Sequence, residues 1–233
     1  YVFNNKLHYF IKIYKHSMTW RKYPINEKFF NCIDLEEKAY FLGLLYADGT
    51  NSTAKTEVSL RLQENDRMIL CKLNELLQPT KPIMPIIRKN QKKQYRLLIN
   101  SKIISYRLNE LGVIPNKTFN LKYPQWIDDK LCNHFIRGYF DGDGYVGYNS
   151  ANKMGQFSFT GTEDMLLNIQ NQLIKFCGLN TVKMYIRYPE RNNNIRMLMY
   201  SGNGNLRKFY NFLYYGANYY TERKKNKFEN ILN

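Results

Sequence analysis

Histidines, paired cysteines, acids and long apolar runs are all scarce in this chain, and each shortage removes a class of protein. With three histidines in 233 residues and no CxxC pair, no zinc finger can be drawn. Cys32, Cys71, Cys132 and Cys177 are scattered rather than spaced as a disulfide framework, and read as reduced thiols in a cytosol-like compartment. No apolar stretch approaches the ~18 residues of a membrane span, and no signal-peptide pattern opens the chain, so no membrane partner is expected. The start lacks a nucleophilic Cys or Ser and the end lacks a His-Asn pair, which an entire intein would need. Acidic side chains number 19 against 35 basic ones, giving a net charge of +16. That excess points to a polyanionic partner, nucleic acid ahead of a membrane surface. The richness in Asn, Lys, Ile and Tyr is that of an AT-rich genome: a phage, an organelle or a low-GC bacterium.

What the chain does contain is a nine-residue segment that occurs twice. Phe41-Leu42-Gly43-Leu44-Leu45-Tyr46-Ala47-Asp48-Gly49 returns as Ile136-Arg137-Gly138-Tyr139-Phe140-Asp141-Gly142-Asp143-Gly144. Asp48 and Asp143 lie 95 positions apart, the period of a whole subdomain rather than of a small solenoid repeat. Each segment reads as an apolar helix that stops at an acid followed by glycine. Gly43 and Ala47 share one helical face, as do Gly138 and Gly142, because residues four apart stack on a helix surface. Small residues there allow two helices to approach backbone to backbone, which would set Asp48 beside Asp143. A helix C-terminus already carries negative dipole charge, so two carboxylates at adjoining ends call for a cation. An ordinary Asp-Gly turn explains one copy but not two matched ones. A calcium loop over Asp141-Gly142-Asp143-Gly144 fails, because Tyr145 occupies its fifth position.

The intervening sequence repeats in the same order. Residues 57–63 and 156–160 alternate polar and apolar as half-buried strands. A helix is expected over 66–77, with Asn65 at its N-cap and Leu70, Leu73 and Leu77 on one face, and another from Thr162 to Gly178. Hairpins follow, 83–88 with 94–99 and 182–188 with 195–200, then helices capped at Ser101 and beginning near Asn205. The expected organisation is an N-terminal extension over 1–34, a first repeat over 35–119, a linker over 120–126 and a second repeat over 127–233. Helix-strand-strand-helix-strand-strand-helix, used twice, predicts an α+β architecture of two pseudo-symmetric αββαββα repeats with two antiparallel sheets.

Each sheet can bury one face under helices and leave the other open. On the open faces we expect Ser59, Arg61, Gln63, Gln94 and Arg96 in the first repeat. The second would present Gln156, Ser158, Lys183, Tyr185, Arg187 and Arg196. Arg88, Lys92, Lys93 and Arg191 stand at the hairpin tips, and Arg67 opens a helix. Alternation alone puts polar residues on a solvated face. Arg and Lys interleaved with Gln, Ser and Tyr fit double-stranded DNA, since Arg and Gln can pair with base edges while Lys neutralises phosphates.

Both nine-residue segments resemble the signature of the LAGLIDADG homing endonucleases in their single-chain, two-repeat form. Tyr46 departs from that pattern by standing where the family has an acid, and Ile136-Arg137 depart at the opening of the second copy. The resemblance implies a saddle of two sheets over DNA with the motif helices packed at its centre, and a monomer cutting both strands at a long asymmetric site across the minor groove, leaving short 3′ overhangs. It implies metal ligation by Asp48 and Asp143 together with the carbonyls of Ala47 and Gly142. The ion implied is Mg²⁺ or Mn²⁺, with Ca²⁺ as a non-cleaving substitute. Gln63 and Arg67 match positions that organise water and phosphate, with Gly161 and Met165 as their second-repeat counterparts. Lys117 and Lys224 match the family's basic catalytic partners. Two other readings stay open: an intron-RNA maturase, and a DNA-binding regulator that does not cut.

Overall fold

The computed structural model describes residues 22–90, 92–187, 189–191 and 194–233, so most of the expected N-terminal extension and the Arg191 side chain fall outside it. The first repeat runs α1 (Glu36–Asp48), β1 (Gly49–Ser52), β2 (Glu57–Gln63), α2 (Arg67–Leu77), β3 (Met84–Ile86), β4 (Gln94–Asn100) and α3 (Lys102–Glu110). The second runs α4 (Cys132–Asp143), β5 (Gly144–Asn149), β6 (Met154–Thr162), α5 (Glu163–Cys177), β7 (Tyr185–Ile186), β8 (Ile195–Ser201) and α6 (Asn203–Tyr214), followed by α7 (Glu222–Leu232). Each repeat forms one four-stranded antiparallel sheet, ordered β1-β2-β4-β3 and β5-β6-β8-β7.

Strand alternation decides which face is buried. Val58, Leu60 and Leu62 pair with Ile99, Leu97 and Tyr95 on the helix-covered face of the first sheet. Phe157 and Phe159 pair with Tyr200 and Leu198 on the second. There Phe157 stacks on Phe209 of α6 with ring centroids 4.0 Å apart, and Phe228 of α7 closes the same aromatic cluster. At the centre, α1 is apolar nearly all round and buried from Ala39 to Tyr46, as a helix without a solvent face must be.

Local signals set several boundaries. Ser101 accepts the Ile104 N–H and Thr162 the Met165 N–H, so both caps form as the sequence predicts. Gly112 and Gly178 close their helices at positive φ. Asn65 does not cap α2. A turn of 3₁₀ helix over Glu64–Asp66 intervenes, and the helix begins at Arg67. The β7 strand keeps only two of the seven residues expected. The segment after α6 winds into a further helix, α7, which the repeated order of elements does not include.

The unexpected Arg137 of the second motif is fully buried between the repeats. Its guanidinium donates to Glu36 Oε1 at 2.6 Å, to the Leu213 carbonyl at 2.7 Å and to the Tyr219 carbonyl at 2.7 Å. Glu36 also accepts the backbone N–H groups of Asn218 and Tyr219. Arg137→Leu strands two buried carbonyls, while Glu36 keeps its amide donors, so a loss of about 2–3 kcal/mol is expected in a denaturant melt, at the lower edge of what breaking a buried pair costs.

Candidate metal and nucleic-acid site at the paired helix ends

The motif helices touch through their backbones. A Cβ added to Gly43 would overlap the Phe135 carbonyl, and one added to Gly138 would overlap the Tyr40 carbonyl. At the next turn a Cβ on Gly142 would meet the Ala47 methyl and lie 3.0 Å from Asp48 Oδ2. The side chain of Asp48 therefore lies over the second motif, next to Asp143. Both acids end their helices and both are exposed.

Although each carboxylate has an open edge, protein crowds it on the other sides. This desolvation, with the field of Asp143, pushes the Asp48 pKa up to about 6. Desolvation raises Asp143 as well, opposed by the ammonium groups of Lys117 and Lys224. Those lysines approach from opposite repeats. Lys117 Nζ donates to the Ala47 carbonyl at 2.5 Å. Lys224, 4% exposed, donates to the carbonyls of Phe140 and Gly142. Burial pulls the Lys224 pKa down to about 8, against the pull of Asp141, and lowers that of Lys117. Two cations thus sit on the two negative helix ends, on the same carbonyls that the family resemblance assigns to metal.

Matched residues aim the two lysines. In the first motif the Tyr46 hydroxyl donates to the Leu111 carbonyl at 2.5 Å, fixing the end of α3 just ahead of Lys117. In the second, Asp141 occupies the same motif position. It is 3% exposed and accepts the Thr221 N–H at 2.7 Å, fixing the start of α7 just ahead of Lys224. The departure at Tyr46 thus replaces a carboxylate tether with a phenol tether and leaves Asp48 untouched. Two hollows flank the acids. One of about 210 Å³ lies between Ala47, Lys117, Tyr139, Asp143 and Thr162, and one of about 700 Å³ runs from Asp48 past Thr50 to Lys117.

The Gln63 amide N–H donates to Asp66 Oδ2 at 3.0 Å. Asp66, nearly buried, also takes Arg223 of α7 at 2.9 Å, so a residue of the second repeat helps hold the glutamine of the first. Neither Asp66 nor Arg223 carries a pattern that marks it in sequence. Strand register corrects the pseudo-symmetry as well. Gly49 pairs with Leu60 and Gly144 with Phe159, so Gln63 corresponds to Thr162 and not to Gly161. The Thr162 hydroxyl donates to the Leu121 carbonyl and caps α5, leaving nothing comparable to Gln63 on that side.

On the sheet faces, Arg61, Gln63, Gln94 and Arg96 share the open face of the first sheet, where Arg61 pairs with Arg96 and Gln63 with Gln94. Ser59 lies on that face but is 2% exposed, its hydroxyl 2.8 Å from that of Thr50. Gln156, Ser158 and Tyr185 belong to the open side of the second sheet, with Ser158 buried, whereas Lys183 and Arg187 lie outside its strands on either side of β7. Arg196 is not on the open side. It pairs with Gly161 on the helix-covered side, because β8 turns Met197 and Met199 to the open face, and it donates to Glu163 of α5 at 3.3 Å. Arg67 lies over the Tyr95 ring at 4.7 Å, at the helix side of the first sheet. Arg88 and Lys92 are exposed at the hairpin tip, where Lys93 pairs with Glu64.

Among the described residues no three His, Cys, Asp or Glu side chains converge on one point. The donor set is nevertheless one that a hard cation accepts: two open carboxylates at two negative helix ends, all oxygen, with room for further oxygen ligands from a phosphate.

A family model described as LAGLIDADG-like domain matches residues 36–111 and 131–213. Two curated proteins of Methanocaldococcus jannaschii are each 26% identical to the chain. One is a glutamine–fructose-6-phosphate aminotransferase, matched over 84% of this chain, and the other an uncharacterized protein, matched over 73%. The chain spans only 17% and 64% of their lengths. Among solved structures, the homing endonuclease I-WcaI bound to its DNA recognition sequence superposes with a TM-score of 0.58 at 14% identity, covering 93% of this chain and 91% of that one. The meganuclease I-SmaMI bound to DNA gives 0.54 at 12%, over 82% and 88%. Full-length DUF199/WhiA from Thermatoga maritima gives 0.52 at 17%, over 88% and 63%. At these identities the likeness is one of fold.

Proposed function

Because the chain belongs to the LAGLIDADG-like domain family, matched in both of its repeats, we propose that it is a site-specific endonuclease that hydrolyses both strands of a long, asymmetric DNA site. The observation that carries this reading is the pairing of Asp48 and Asp143 at touching helix ends, each with a lysine from the flanking segment of its own repeat. Repeats over 35–119 and 127–233, joined by 120–126, would each address half of the site. The chain matches only 17% of the aminotransferase relative, too little of it to share its activity on that ground.

Bound Mg²⁺ or Mn²⁺ would supply charge at the scissile phosphates and activate water. Asp48 and Asp143 would hold the ions, and their proximity would bring the two strands' scissile phosphates to one place. The Ala47 and Gly142 carbonyls, which here accept from Lys117 and Lys224, would be further oxygen ligands. Lys117 and Lys224 would face the phosphates as they gain negative charge. Gln63, with its N–H committed to Asp66, would offer an acceptor oxygen to a water. Lys224→Met is expected to slow cutting by about a hundredfold while leaving DNA affinity within about twofold, because binding contacts are spread over both sheets.

A randomised duplex library incubated with the chain and Mg²⁺ tests the reading. Discrete double-strand cuts sharing one sequence support it, with Ca²⁺ giving binding of the same sequence without cuts. Binding without cutting in Mg²⁺ would favour a regulator instead, and capture of intron RNA in preference to duplex DNA would favour a maturase.

A further inference from the structure

The two open sheet faces differ most at one pair of matched positions. In the first sheet Arg61 on β2 sits directly across from Arg96 on β4, with Met84 next to Arg96 on β3. Register places Thr160, Met197 and Tyr185 at the corresponding points of the second sheet, because Leu60 pairs with Leu97 as Phe159 pairs with Leu198. Two guanidinium groups and a thioether in one repeat thus become a hydroxyl, a thioether and an aromatic ring in the other.

The first arrangement is costly without a ligand. Like charges directly opposite on an antiparallel pair repel. Glu57 pairs with Arg96 at 2.6 Å, while Arg61 is exposed and makes no ion pair among the described residues. The exposed Arg61 fork matches the acceptor pair that guanine shows in the major groove, N7 and O6, with Arg96 held beside it by Glu57. The second arrangement has no cation at this level. Met197 and the Thr160 methyl suit the C5-methyl of thymine.

We propose that the two half-sites differ in base type at this matched step: guanine under Arg61 and Arg96 of the first repeat, and an A·T pair under Thr160 and Met197 of the second. The assignment rests on the endonuclease reading and specifies its substrate.

The test uses the intact chain and its Arg61→Gln variant on the same randomised duplex library, with Ca²⁺ for binding and Mg²⁺ for cutting. Arg61 is exposed and without an ion-pair partner, so its replacement leaves the fold in place. The recovered wild-type site should carry G·C at one fixed offset from the cut and A·T at the mirrored offset. Arg61→Gln should weaken binding to that site about ten- to a hundredfold and relax preference at the G·C position alone. A site with the same base pair at both offsets overturns the assignment and leaves the endonuclease reading standing. Equal weakening on every sequence overturns it too, since Arg61 would then contact only phosphate. Recovery of no common sequence would overturn both.

Discussion

Gly138→Ala is expected to leave little folded protein, with a loss of at least about 4 kcal/mol, beyond the usual overpacking range. The methyl would fall on the Tyr40 carbonyl of the facing helix and close to the Leu44 amide nitrogen. These are backbone atoms of a helix buried from Ala39 to Tyr46, so no side chain can swing aside. The helices would have to separate, and with them the aromatic layers on either side. Gly43→Ala meets the Phe135 carbonyl and should behave the same way. Gly204→Ala, with nothing within 4 Å of the new methyl, is the control, expected to be neutral or slightly stabilising as a helix glycine replaced by a better helix former. Denaturant melts of the three variants decide the matter. A cooperative, near-wild-type melt for Gly138→Ala would mean that the helices do not touch as described.

Asp48→Asn and Asp143→Asn should each reduce double-strand cutting by about a thousandfold or more, corresponding to about 4 kcal/mol of transition-state stabilisation. Their effect on stability should run the other way. The Asp48 carboxyl titrates near 6 in the fold against 3.8 when unfolded, so the folded chain binds more protons between those values. The stability this group contributes is fully present below pH 3.8 and is lost as the pH rises through 6. Above that, the charged pair works against the fold unless a cation offsets it. In EDTA at pH 7.5 each Asn variant is therefore expected to melt no lower than wild type, and the decline of wild-type stability between pH 4 and 6 should flatten. A variant that melted clearly lower would place the acids among the fold's supports instead of its liabilities.

The features legible in the sequence are those with a short-range cause. Small residues four apart predicted the helix contact. Hydroxyls at Ser101 and Thr162 predicted caps, and alternating residues predicted the buried faces of β2, β4 and β6. The errors have causes of longer range. Arg196 reads as a DNA contact because it is basic and sits on a strand, yet the face it occupies depends on the β6–β8 register, which the sequence of β8 alone does not specify. Asn65 lost the cap of α2 when Asp66 was engaged by Gln63 and Arg223, the latter 157 positions away. Helix α7 is strongly basic along Arg223-Lys224-Lys225, and its helical form depends on anchors from other segments: Phe228 packs into an aromatic cluster of the second repeat, and Asp141 takes the Thr221 N–H. Within the candidate site, the acids stood out in the repeated motif, and the family resemblance pointed to the two lysines that the structure brings to the motif ends. The tethers that aim the lysines, Tyr46 and Asp141, were visible as motif positions but not as tethers.

The central claim, that two helix-end acids form one divalent-cation site on DNA, is tested most directly by diffraction from the chain bound to its selected duplex in Mn²⁺, with data collected at the manganese edge. Anomalous peaks within bonding distance of the carboxylates of Asp48 and Asp143, and lost in Asp48→Asn/Asp143→Asn crystals, are the predicted result. Manganese bound elsewhere in crystals whose DNA is nonetheless cut would contradict it.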